Sequence, residues 1–237
     1  MTERSDPAAD PTFGETWVYE SLVAGIPGLR LTARRAIGLQ FVLFETLVVG
    51  LAVYYALPRA AVVAGTVAVA VAAAGSAAML YIGTATRALD LPDAHRRLLF
   101  GSSVEVLFGV LGFVAVVTFL LTGAGPTPFE SLLGGPAPAP VAFVALLILW
   151  DLCYRIGTSW WTALVSLWRS LRIRVTPDTA RRCRRLDAAN VGFGLIELGL
   201  LPVVAGNTLV VVALLGHVAA VTVVSTAATL LLRTESP

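Results

Sequence analysis

The chain has 237 residues, of which 57% are hydrophobic and only 14% charged, with a formal net charge of +2. Soluble domains carry about 25% charged residues, so a mean hydropathy of +0.82 excludes a soluble fold that covers its own core and indicates a polytopic membrane protein. All 17 basic residues are arginine, which excludes lysine Schiff bases, a phosphate-loop lysine and a lysine general base.

Residues 1–30 begin polar and continue as TWVYESLVAGIPGLR. Glu20 and Pro27 interrupt the apolar run, so the stretch does not read as a secretory signal. Trp17, Tyr19, Leu22, Val23 and Ile26 fit either a short interfacial helix ending at Pro27 or a loosely ordered cytoplasmic tail. Residues 31–233 are expected to form one transmembrane domain, with 234–237 as a short tail.

Arg30, Arg34 and Arg35 precede the first apolar span, 37–57, which Pro58 ends. The second span, 60–84, repeats small residues four apart (Ala68, Ala72, Ser76), a spacing that lets helix backbones approach closely. The next loop carries Arg87, Asp90, Asp93, His95, Arg96 and Arg97, with His95 expected in solvent. The third span covers 99–122, and a loop rich in proline and glycine follows.

The fourth span lies in residues 141–174. Asp151 and Arg155 stand one turn apart inside it. Trp160, Trp161 and Trp168 then suggest an aromatic belt, and Arg169, Arg172 and Arg174 a basic cytoplasmic end. The other helices are expected to pack round this one. Residues 175–187 read as a loop holding Arg181, Arg182, Arg184 and Arg185. A fifth span, 188–205, turns at Gly206-Asn207 into a sixth, 208–232.

Arginines gather before span one, between spans two and three, between four and five, and after six. The other loops hold only Arg59. The positive-inside rule therefore places both termini in the cytoplasm, which six spans satisfy, and the protein in the cell membrane. Three stretches also resemble one another: RRAIGLQFVLFETLVVG, RRLLFGSSVEVLFG and RRLDAANVGFGLIELG. Each opens an odd-numbered helix, as three helical hairpins round a polar centre would require. Similar arginine placement would also follow from topology alone.

The ionisable residues inside spans are Glu45, Glu105, Asp151, Arg155 and Glu197, with His217 in the sixth. Each near a bilayer centre costs about 3 kcal/mol and needs a reason. At 1.5 Å per residue the three glutamates lie roughly 10–14 Å from the cytoplasmic helix ends. Arg155 falls at that depth and Asp151 about 6 Å nearer the centre. Four acids and one arginine would then share a layer. Gly101, Glu105 and Gly109 share one face, and Asn190, Gly194 and Glu197 another. Ser102 precedes Glu105 by one turn, and Gly216 would let a neighbour approach His217.

Two readings follow. In one, Glu45, Glu105, Asp151 and Glu197 bind a small cation or proton, Arg155 is an internal counter-ion and His217 a relay, as in a small transporter or channel-like protein. In the other, the same charges form a structural salt-bridge network in a non-transporting scaffold or accessory subunit. Enzyme motifs are missing. There is no HExxH, no CxxC and no Gly-x-Ser-Gly of the rhomboid proteases. Two histidines and two cysteines give little for zinc or haem. Cys153 in a helix and Cys183 in the basic loop do not suggest a disulfide. No catalytic residue, metal or cofactor is assigned. The expected partners are the lipid bilayer and a small cation or solute, with a homo-oligomer or a membrane partner left open and no nucleic acid.

Overall fold

The computed structural model describes Trp17, residues 32–122 and residues 128–235. The rest of the N-terminal segment 1–30, and residues 236 and 237 of the tail, lie outside the described residues. The fold is all-α, with six long helices apolar enough to cross a membrane. In chain order the elements are α1 (Ala33–Tyr54), α2 (Arg59–Arg87), α3 (Asp93–Phe100), α4 (Val104–Thr122), α5 (Pro128–Leu133) and α6 (Ala139–Arg172). There follow α7 (Pro177–Glu197), a 3-10 turn (Leu198–Leu200), α8 (Leu201–Val204) and α9 (Thr208–Leu231). Two-residue strands β1 (Arg174–Val175) and β2 (Arg233–Thr234) pair in parallel.

Helix ends follow local chemistry. Thr32 caps α1 by accepting from the Arg35 amide, and the chain turns back through Ala56, which takes a left-handed φ of 49°. Asn207 caps α9 by accepting from the Val210 amide at 3.1 Å. Pro202 has no N–H for the Leu198 carbonyl, so the fifth span tightens into the 3-10 turn before it resumes.

Each odd span packs on the even span that follows: α1 on α2, α4 on α6, and α7 on α9. Helix α6 also touches α9, α2, α1, α7 and α3 and is the central post of the bundle. Lipid tails are as apolar as leucine, so helix contact in a bilayer depends on close packing. Backbone meets backbone closely where α4 packs on α6. A Cβ on Gly157 would lie 2.6 Å from the Gly109 nitrogen and 2.8 Å from the Glu105 carbonyl oxygen. Apolar side chains such as Leu43, Val53, Leu121 and Val223 stay exposed, as lipid-facing residues would.

Several expectations are corrected here. Residues 177–187 are the first half of α7 and not a loop. Thr176 caps it, accepting from the Thr179 amide, and Pro177 occupies the first turn. Cys183 is therefore helical and fully buried, and both cysteines are free. The third span is interrupted at Gly101–Ser103, where Ser103 has a φ of 53°. The proline-rich loop contains the short helix α5. His95 is only 2% exposed, set against the Trp168 ring and not in solvent.

The tryptophans of α6 make helix–helix contacts. Trp161 donates to the Leu98 carbonyl at 3.1 Å and ties α3 to α6. Trp17 is buried at 2% exposure, its ring edge-on to Phe100 at 4.8 Å and lying over Gly83.

Candidate functional site

Among the described residues, Asp151 pairs with Arg155 and Glu197 with His217, while Glu45 and Glu105 belong to neither pair. On α6, one turn apart, Arg155 holds Asp151 with a fork: Nη2 donates to Oδ1 at 2.6 Å and Nε to Oδ2 at 3.0 Å. Both residues are buried. The Arg155 stem passes over Gly75 of α2, where a Cβ would stand 2.6 Å from its Cδ and 2.7 Å from the Phe193 ring. Small residues on α2 thus make room for a charged side chain from α6. Asp151 also lines a groove with Gln40, Phe41, Phe44 and Ile148 at the α1–α2–α6 junction.

Glu197 ends α7 and meets His217 of α9. The Nε2 and Oε2 atoms stand 2.8 Å apart, an ion pair only when the imidazole is protonated. Glu197 is 1% exposed and His217 8%. The imidazole is flanked by Trp160 of α6, ring centres 5.9 Å apart. Gly216 does not provide the close approach expected of it. It is exposed, and a Cβ there would meet nothing within 4 Å.

Glu105 is fully buried in the first turn of α4, and among the described residues no other residue's side chain bonds its carboxyl oxygens. It lies nearer its helix start than the sequence implies, because α4 begins only after the break at 101–103. Of the glycines on its expected face, Gly109 meets α6 while Gly101 falls in the break and is exposed. Ser102 is exposed and bonds back to the Leu98 carbonyl. Glu45 of α1 accepts a 2.7 Å bond from Thr66 of α2. Among the described residues no group of three or more His, Cys, Asp or Glu side chains converges as a metal ion would need.

The sequence reading missed a second ion pair. Arg169 of α6, assigned to the basic flank, is 2% exposed and donates to Asp187 of α7 at 2.8 Å. Thr229 of α9 reaches the same carboxylate oxygen at 3.4 Å. Further along, Asn190 joins three helices. Its Nδ2 donates to the Ser159 carbonyl at 3.1 Å and to Ser225 Oγ at 3.4 Å, and Ser159 Oγ donates to its Oδ1 at 3.0 Å.

These contacts lie on one seam. Asp187, Asn190 and Glu197 share a face of α7, and Thr229, Ser225 and His217 recur at multiples of four on α9. The seam runs about 18 Å along α9. Val221 and Phe193, both buried, stand between its inner rungs and the Glu197–His217 pair. Two arginines are thereby matched by two aspartates, while Glu197 meets a histidine and Glu105 forms no ion pair among the described residues.

A family model described as a family of unknown function (DUF7530) matches residues 12–228. The match covers well over half of the 237 residues, and the chain belongs to that family. No curated protein and no solved structure matches it.

Proposed function

For this member of the family, we propose that the bundle carries protons, alone or coupled to a small solute, with Glu197 and His217 as the exchanging pair. The observation that carries the reading is their 2.8 Å approach in a buried site between α7 and α9. A carboxylate and an imidazole are the side-chain types that most readily take up and release protons. Acids inside spans commonly mark such pathways. The proton is preferred over a metal cation because it needs no converging set of ligands. In this reading Asp151 is neutralised by Arg155, its internal counter-ion. Glu105 and Glu45 are the further acids available to a path, and no residue is assigned a catalytic role. The protein would sit in the cell membrane with both termini cytoplasmic.

The test is proton flux into vesicles containing the purified protein, driven by an imposed pH gradient and followed with an enclosed dye. Glu197→Gln should lower the flux about a hundredfold, the lower end of what a positioned proton-transfer group contributes. Its melting temperature should stay near that of the parent.

A scaffold role is the second reading. It is favoured by the Arg169–Asp187 and Asn190 contacts, which pin α6, α7 and α9 together. Flux equal to that of empty vesicles, in protein shown to be folded, would select the scaffold.

A further inference from the structure

We propose that Arg174 and Arg233 form a clamp for the phosphate of an anionic lipid headgroup. The parallel pairing of β1 and β2 makes these two residues register partners. Adjacent strands lie about 4.8 Å apart, so two guanidinium-bearing side chains leave the backbone side by side. The period of two settles which way they face. Val175 and Leu232 point inward, where they join Leu89, Cys183 and Leu186 in one apolar cluster. Arg174 and Arg233 take the outer face, and both are exposed.

Like charges placed opposite each other destabilise a strand pair. Among the described residues neither arginine forms an ion pair. Glu235, two residues beyond Arg233, makes none either. A phosphate would relieve the repulsion, because two guanidinium forks match its oxygens. The site is thus a pair of like charges held side by side by the strand pairing.

The surroundings favour a lipid over a soluble phosphate. Leu171, Leu230 and Leu231, 47%, 78% and 48% exposed, lie within about a turn of the two arginines along their own helices. Helix α9 has 24 residues, about 36 Å in length against a hydrocarbon core of about 30 Å, so Arg233 just past its end falls at headgroup depth. This inference does not depend on proton transport.

The experiment is lipid retention by the detergent-purified full-length chain, read by native mass spectrometry. The probes are phosphatidylglycerol, phosphatidylcholine and inorganic phosphate. Phosphatidylglycerol should be retained preferentially and should raise the melting temperature. The Arg174→Gln/Arg233→Gln double variant should bind it about tenfold more weakly, the size of one lost charge-assisted hydrogen bond. Arg184→Gln/Arg185→Gln, which removes equal exposed charge from α7, should leave retention unchanged.

Should the first double variant fail to fold, Arg174→Lys/Arg233→Lys keeps the charge and removes the fork. It should still bind more weakly than the parent. Equal retention of the two lipids would overturn the proposal, and so would equal losses in both glutamine double variants. An equal melting shift with inorganic phosphate would assign the clamp to a soluble anion and overturn the lipid.

Discussion

Arg169→Gln should destabilise the bundle by about 3–5 kcal/mol, the range for breaking a buried ion pair from one side. Arg169 and Asp187 are 2% and 1% exposed, and the pair joins α6 to α7. Removing the guanidinium leaves a buried carboxylate with only hydroxyls beside it, Thr229 at 3.4 Å and Ser166. A charge in that position has no water to replace its partner. The double variant Arg169→Leu/Asp187→Leu should recover most of the loss, because an apolar pair of similar volume often serves as well. Denaturant or thermal melting of purified protein measures both. A single variant as stable as the parent would mean that Asp187 is not held as a charge.

Gly157→Ala should cost about 1–3 kcal/mol, the usual penalty for one extra carbon in a packed site. The atoms that the new methyl meets are backbone: the Gly109 nitrogen, the Glu105 carbonyl oxygen and the Phe108 carbonyl carbon, at 2.6, 2.8 and 3.0 Å. Backbone cannot swing away as the end of a side chain can, so α4 and α6 must separate. Gly216→Ala is the matched control. A methyl there meets nothing within 4 Å, so the variant should be neutral or gain up to about 1 kcal/mol of helix propensity. Equal melting temperatures for the two variants would show that α4 does not depend on this contact.

The six spans were readable because a bilayer imposes long apolar runs, and helix is the simplest way to satisfy the backbone in lipid. The central place of α6 was readable too, since its length and mixed polarity require neighbours on all sides. The fifth span was misread for a physical reason. Its first half is amphipathic and rich in arginine, so hydropathy fell before the helix began. The start was still written locally: Thr176 as cap, Pro177 in the first turn and Asp178 after it are a helix-opening signal. Continuing the face of Glu197, Gly194 and Asn190 back by three residues would then have reached Asp187. The partner Arg169 was hidden by its position at the end of a basic flank, where arginine is ordinarily solvated.

The acids were located correctly as residues within long helices, but their partners were not legible. Depth along a helix is one coordinate, and pairing depends also on rotation and neighbour. Glu197 and His217 meet because α7 and α9 pack as a hairpin across the Gly206-Asn207 turn. Glu45 instead faces Thr66 because α1 packs chiefly on α2. The break at Gly101–Ser103 was hidden because Ser103 adopts a left-handed backbone with no glycine at that position to announce it.

The pairing of Glu197 with His217 as a proton-exchanging unit is most directly tested by nitrogen NMR of histidine-labelled protein. The chain has only two histidines, His95 and His217, and His217→Gln assigns their signals. Glu197→Gln should shift the His217 ring-nitrogen signals and leave those of His95 in place. His217 signals identical in parent and variant would contradict the pairing.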